Sequence, residues 1–367
     1  MLTFRKALII AAVLISLIFF LRSSQSSSES PVTVSPEAVA YDVSHETKEP
    51  SSSQSPSQDA GSQQQPLKQP PPPPSASLPE RLRYHFPYSL EAKFPAYIWQ
   101  TWKYTPASVW FDRNLRKQEA SWTDLNPNFV HQVIPDDTVR YLIKYLYGSV
   151  PEVLEAFDAL PLAVLKADFF RYLVLLARGG VYSDIDTTAL KPVLDWLPDT
   201  LDLSTVGFVV GIEADPDRPD WADWYSRRVQ FCQWTIQSKP GHPILIDIVT
   251  YITQETLRMK QAGILKKGKM DKTIVEFTGP AAWTDAVFRY FNDPEYFSIE
   301  PGSTHNITYE DFTNQVEYQK VGDVVVLPIT SFSPGVNQMN AQGTDDPMAF
   351  VEHDFEGKLS HIADICE

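Results

Sequence analysis

The chain is poor in the residues that define several protein classes. Its 367 residues include two cysteines, Cys232 and Cys366. Two cannot build a disulfide framework or a cysteine-rich zinc site. A bond between them and a pair of separate thiols both fit the spacing. Hydrolase signatures are missing too: no Gly-x-Ser-x-Gly, His-Glu-x-x-His or Cys-x-x-Cys occurs. Positive charge is scarce, with 31 Lys+Arg against 46 Asp+Glu and a net charge of −15. A field this negative argues against a nucleic-acid backbone or an anionic membrane surface as the main partner, yet it leaves room for a nucleotide in a local pocket. No internal repeat is present. No apolar run reaches the roughly 20 residues of an ordinary membrane helix.

What is present divides by composition. Ala7–Leu21 is apolar apart from Ser16, with Arg5 and Lys6 before it and Arg22 after it. As a helix it would rise about 22 Å, short of a hydrocarbon core of roughly 27–30 Å. A cleaved signal peptide fits the length, but no small-x-small cleavage site follows. A short signal anchor fits the flanking charge better and suits a thin early-secretory membrane. Residues 22–80 contain 16 Ser and 11 Pro among 59 positions, with Tyr41 the one aromatic. Such a stretch cannot bury enough apolar surface to offset its ordering entropy, so it is expected to be a disordered stem. The expected organisation is a cytoplasmic tail at 1–6, a transmembrane anchor at 7–21, the stem at 22–80 and a lumenal folded domain at 81–367. All nine tryptophans lie in that last part. Asn306-Ile307-Thr308 is a glycosylation sequon, usable only on a lumenal, exposed loop.

Within the folded part, strands are expected at Ala96–Thr101, Phe129–Ile134, Val181–Ser183, Val206–Ile212 and Asp323–Leu327. Helices are expected at Asp112–Ser121, Asp136–Tyr147, Leu162–Arg178, Trp224–Gln237, Pro243–Met259 and Ala281–Phe291. Alternating strands and helices imply an α/β fold with a mostly parallel central sheet.

The chemistry concentrates in Lys166–Asp186. Asp168 and Arg171 lie three apart and share a helix face. Most such pairs are solvated, but Phe169, Phe170 and Leu173–Leu176 surround this one, and a charged pair in so apolar a helix needs partners. Gly179-Gly180 then permits a sharp turn and close backbone approach. Asp184 and Asp186 follow at a strand end, on one side of the chain. Two such carboxylates repel unless a cation joins them, and Mn²⁺ or Mg²⁺ both suit oxygen ligands and bridge to phosphate. Strand ends are also where α/β sheets bind ligands.

In order, Ile98-Trp99-Gln100-Thr101-Trp102-Lys103, Asp168-Phe169-Phe170-Arg171-Tyr172 and Gly179–Asp186 resemble glycosyltransferase family 32. Gly211–Asp215, Arg227–Thr235, Lys239–Pro243 and Thr278-Gly279-Pro280 sharpen the resemblance to its alpha-1,6-mannosyl-transferring members in yeasts and moulds. It covers roughly residues 94–360. The resemblance implies a GT-A, Rossmann-like fold and a type II Golgi membrane protein. It implies GDP-mannose as donor, the high-mannose N-glycan of glycoproteins as acceptor, Mn²⁺ as cofactor and retention of the anomeric configuration. By match to the family motif, Asp186 would ligate the metal. Asp184 would hold sugar and ribose hydroxyls or a metal-bound water. Asp168 and Arg171 would grip mannose and pyrophosphate, Trp99 would lie against the nucleotide and His353 would join the metal site. Of the family's Gly-Ser-Trp after that His, His353-Asp354-Phe355-Glu356-Gly357-Lys358-Leu359 keeps the Gly but replaces Ser and Trp, and His361 is the lesser substitute. One alternative is a relative working with other mannosyltransferases in a mannan-polymerising complex on a different acceptor. Another is a catalytically silent glycan-binding module.

Trp221, Trp224 and Trp234 can stack on sugar rings or sit in the core, with core favoured for Trp234. Asp215, Asp217, Asp220 and Asp223 with Arg218 make either an acceptor-binding or a solvated loop. Asp285 is better read as a carboxylate near a helix N-terminus than as a substrate contact.

Overall fold

The structure, a computed structural model, describes residues 72–73, 75–296, 306–336 and 340–354. The expected tail, anchor and most of the stem, together with Cys366 and His361, lie outside the described residues. No helix among the described residues is long and apolar enough to cross a membrane.

The elements run α1 (Leu78–His85), β1 (Tyr97–Trp102), α2 (Arg116–Leu125), β2 (Val130–Pro135), α3 (Asp136–Tyr147), α4 (Pro151–Ala159), α5 (Ala163–Arg178), β3 (Gly180–Ser183), β4 (Thr187–Ala189) and β5 (Phe208–Ala214). They continue with β6 (Gln230–Ser238), α6 (Pro243–Gln261), α7 (Ile274–Phe277), α8 (Pro280–Phe291), β7 (Gln319–Val321), β8 (Val324–Leu327), α9 (Ile329–Phe332) and β9 (Val351–His353).

Seven strands form the main sheet in the order β2-β1-β3-β6-β5-β8-β7. Strands β2, β1, β3, β5 and β8 share one direction, while β6 and β7 run against it. The expected mostly parallel α/β sheet is thus present, with one reversed strand at its centre and one at its edge. Strands β4 and β9 form a separate antiparallel pair. Alternate residues of one strand serve two cores, as the period of two requires. Val324 and Val326 pack with α5, α6 and α8 on one face; Val325 and Leu327 join Trp196, Phe332 and Phe350 on the other. Cys232 is a buried free thiol of this second core.

Three expectations change. Trp224–Gln237 is not a helix, because Gln230–Ser238 is β6, paired with β3 and β5. Nearly every residue of β6 is buried, and because Gln230, Thr235 and Gln237 are buried among its apolar residues, no period of two marks the strand. Helix α4 was not anticipated, although Pro151 occupies its first turn. The folded unit also starts before residue 81. Ser77 and Glu80 form a capping box for α1, with Pro79 in the first turn, a helix start hidden in Ser/Pro-rich composition.

Helix α5 ends where expected. Gly179 takes φ 63° and Gly180 φ 94°. A Cβ on Gly179 would lie 2.7 Å from the Ser238 carbonyl oxygen, so only glycine lets α5 turn back into β3 this tightly.

Candidate active site

The carboxyl ends of β1 and β3 open into a cleft of about 530 Å³. Helix α5 supplies Asp168 and Arg171, and the turn after β3 supplies Asp184 and Asp186. Because α5 packs directly under β3, the helix pair meets the strand-end pair. Arg171 Nη1 lies 3.0 Å from Asp168 Oδ1, and Nη2 lies 3.1 Å from Asp184 Oδ1. Asp168 and Arg171 are only 3 % and 4 % exposed, so this is a buried network rather than a solvated surface pair. Burial works against the Arg171 charge, but Asp184 and Asp168 more than offset it and hold its pKa well above the ordinary value. Thr278 Oγ1 donates to Asp168 Oδ2 at 2.7 Å, and Tyr182 Oη donates to Asp184 Oδ1 at 2.7 Å. The guanidinium also stacks over the Tyr182 ring at 5.3 Å. Burial and the Asp184 charge both push the Tyr182 hydroxyl pKa up, so it stays a donor.

The backbone of this turn is fixed as firmly as its side chains. Asp184 N–H donates to the Trp234 carbonyl at 2.9 Å. The Asp184 carbonyl accepts from Thr187 Oγ1 at 2.6 Å and from Gln100 Nε2 at 3.1 Å. His353, distant in sequence, arrives through the β4–β9 pair, where it lies opposite Thr187. Its Nε2 is 3.7 Å from Asp186 Oδ1, and its ring stands edge-on to Trp234 at 4.6 Å. One ligand atom from each of Asp184, Asp186 and His353 lies within 4.8 Å of the others. Two carboxylates and an imidazole, partly shielded from water, are a fitting donor set for Mn²⁺ or a similar divalent ion.

The structure brings together Asp168, Arg171, Asp184, Asp186 and His353, and leaves Trp99 out. Trp99 is 8 % exposed, does not line the cleft, stacks on Tyr97 at 5.1 Å and donates its indole N–H to the Gly179 carbonyl at 2.9 Å. The aromatic of β1 at the cleft is instead Trp102, the last residue of the strand, followed by Lys103. The rule that ligands meet strand ends would have selected Trp102 over Trp99.

Tyr182, Glu213, Gln230 and Gln233 also line the cleft and went unremarked in the sequence. Tyr172 Oη ties Gln233 Oε1, at 2.6 Å, to the Thr278 carbonyl, at 3.1 Å. Trp224 stands at the cleft 62 % exposed, while Trp234 is 4 % exposed and mostly core. The acidic loop divides. Asp215 is buried in a structural knot with Arg228, Thr313 and Asn314, and Asp220 is clamped by Arg218. Asp285 lies in the middle of α8, paired with Arg227 at 2.5 Å, and so is not a helix-terminal carboxylate.

Comparison with known proteins gives one family model, "Glycosyltransferase sugar-binding region containing DXD motif", which matches residues 112–202. That span includes Asp168, Arg171, Asp184 and Asp186. The chain is 47 % identical to the initiation-specific alpha-1,6-mannosyltransferase of Candida albicans, over 80 % of this chain and 79 % of that protein. It is 34 % identical to the protein of the same name from Saccharomyces cerevisiae, over 78 % of this chain and 82 % of that one. A third relative, the putative glycosyltransferase HOC1 of Saccharomyces cerevisiae, is 39 % identical over 76 % of this chain and 68 % of that one.

Proposed function

Since the chain belongs to the glycosyltransferase family of the fungal initiation-specific alpha-1,6-mannosyltransferases, we propose that it transfers mannose from GDP-mannose to the high-mannose N-glycan core of glycoproteins. The product is the first alpha-1,6-linked mannose of the outer chain, made with retention at the anomeric carbon. One observation carries the reading: a buried Arg171 held between Asp168 and Asp184, beside the Asp186–His353 pair, at the floor of one cleft.

Each residue has work suited to this reaction. The bond that breaks leaves negative charge on the donor's diphosphate. Arg171 meets that charge where it develops, and it is already oriented by two carboxylates, so little reorganisation is needed. Asp168 and Asp184 accept hydrogen bonds from mannose or ribose hydroxyls, which favours a sugar carrying partial positive charge. Asp184, Asp186 and His353 would hold a divalent ion, Mn²⁺ in our proposal, which when bound neutralises diphosphate charge. In a same-face route the departing phosphate oxygen takes the acceptor hydroxyl's proton, so no protein nucleophile is required. The side of the cleft bearing Trp224, Glu213 and Gln230 is left for the acceptor.

An enzyme of this kind works in the Golgi membrane as a single-pass type II protein, and Arg5-Lys6 before the apolar Ala7–Leu21 supports that orientation. The deciding assay incubates the protein with GDP-mannose, MnCl₂ and a Man8GlcNAc2 glycan and maps the product linkage. A new alpha-1,6-mannose is expected. Transfer only to a longer alpha-1,6 primer would replace initiation by a role in a mannan-polymerising complex. Asp186→Ala should abolish metal-dependent turnover with the fold intact, and wild-type activity in that variant would remove the metal assignment.

A further inference from the structure

A second cavity, of about 500 Å³, adjoins the first. The two share Thr101, Asp136, Ala163 and Ala167, so they form two chambers with a common wall. Thr101 is near the end of β1, Asp136 is the first residue of α3, and Ala163 and Ala167 stand one turn apart on α5. The same helix turns Asp168 and Arg171 toward the first chamber. A ligand whose charged end meets Arg171 therefore has its other end carried past the two alanines, whose small side chains keep the passage open.

The second chamber has the character of a slot for a flat heteroaromatic ring. Its apolar floor is Phe157, Leu160 and Phe170, each no more than 3 % exposed. Lys166 sits above Phe157 at 5.7 Å. Arg140, on the rim, is already claimed by Asp158 through two hydrogen bonds of 2.7 and 2.8 Å. Asp137 also lines this chamber and accepts from Thr138 Oγ1, so Asp136 is the one carboxylate that lines both chambers. Partial burial at this junction, opposed by Lys103 and reinforced by Asp137, raises the Asp136 pKa, while its carboxylate stays open to a ligand at the mouth of the chamber.

We propose that Asp136 selects the donor's base, accepting the ring N–H and the exocyclic amino N–H of guanine side by side on its two carboxylate oxygens. This rests on the reading of the donor as a guanosine diphosphate sugar. The chemistry excludes other bases. Adenine presents a ring-nitrogen acceptor, which a carboxylate repels, and uracil presents one N–H between two carbonyl oxygens. Only guanine offers two adjacent donors, and paired charge-assisted bonds of this kind bring both strength and geometry. A site built on such bonds rejects the analogue that lacks one of them.

The test compares nucleotides that differ at that edge. Binding of GDP, of inosine diphosphate (which lacks the exocyclic amino group) and of UDP is measured by calorimetry with MnCl₂ present, on the full chain and on Asp136→Asn. The native protein should bind GDP about tenfold or more tightly than inosine diphosphate, the difference of one hydrogen bond to a charged group. Asp136→Asn should lose most of that margin while its UDP affinity stays the same. A native preference for GDP that survives in Asp136→Asn would overturn the role of Asp136 and leave the donor assignment standing. A native protein with no preference for GDP over UDP would overturn both. Asp136 is exposed at a helix start, so the variant is expected to fold, and its thermal melt verifies this.

Discussion

Arg171 shows what a single buried cation does here. It is held by Asp168 on its own helix and by Asp184 across the cleft floor, with almost no exposure. Arg171→Met would leave two carboxylates uncompensated, and breaking a buried pair in this way costs about 3–5 kcal/mol of stability. Arg171→Lys keeps the charge but gives up the planar fork that spans both partners. Turnover of Arg171→Lys should fall by about 10²–10³-fold, as for loss of a transition-state donor, while its melting temperature drops much less than that of the Met variant. Steady-state kinetics beside thermal melts separate the two effects.

His131 is a second residue with a measurable signature. Its Nε2 is 2.8 Å from Gln100 Oε1 and its Nδ1 is 2.8 Å from Thr123 Oγ1, and Gln100 in turn donates to the Asp184 carbonyl. Burial lowers its pKa to about 4. The unfolded chain binds the proton at an ordinary pKa near 6.5, so between those values the unfolded state is the more protonated one. Stability should therefore be lost as pH falls from about 6.5 toward 4, by up to about 3 kcal/mol from this group. His131→Asn should flatten that part of a melting-temperature profile taken across the same range.

At the level of elements, the β4–β9 pair matters most for the site. It brings His353 to Asp186 from beyond α9 and places buried Val351 opposite Ala189. Val351→Pro removes a backbone donor and strains the pair. It should raise the Mn²⁺ concentration for half-maximal activity by about 10–100-fold, as loss of support behind a metal ligand does. His353→Ala should shift it in the same direction. A metal titration of activity that leaves Val351→Pro unchanged would show that His353 needs no strand to hold it.

The same scale explains what the sequence made legible. Helix α5 and the turn after it were readable because a long apolar run, an Asp-x-x-Arg pair within it and a Gly-Gly stop all pointed one way. Helix α3 was readable to its last residue for a similar reason. Strand β6 was not, because burial on both faces erases the period that marks a strand. Trp99 was carried over by motif rather than by position, and mid-strand residues face the core. Tyr172, Tyr182 and Gln233 were invisible as site residues because their roles come from contacts across 60 or more positions, or from a strand end whose direction the sequence did not fix.

For the whole molecule, the charge of −15 is shared by the site itself. The cleft is lined by Asp136, Asp168, Asp184, Asp186 and Glu213 as well as by Arg171 and Lys103, so a bound divalent cation would be needed to turn its local charge toward an anionic donor. Among the described residues, those lining the cleft fall within 101–353. Removal of residues 1–67 should accordingly leave kcat within about threefold, well under the tenfold change that 1.36 kcal/mol in the barrier would bring. On the proposed anchoring by Ala7–Leu21, the full chain should sediment with vesicles and the truncated one should not. Loss of transfer activity on truncation would mean that the leading segment contributes to the site.

The reversed central strand has an effect on how such an enzyme can diversify. Because β6 runs against β3 and β5, residues 215–229 leave and re-enter the sheet at the end where the Asp pair stands. That connection is a tip between two neighbouring strands, and no strand of the nucleotide-facing half passes through it. Asp215, Arg227 and Arg228 anchor its two ends, so exchanges between them, at Trp224, Tyr225 and Ser226 of the cleft lining, can remodel what the cleft accepts without moving Asp168, Arg171, Asp184 or Asp186. New glycan preferences can therefore arise by rewriting one tip, leaving donor chemistry inherited unchanged.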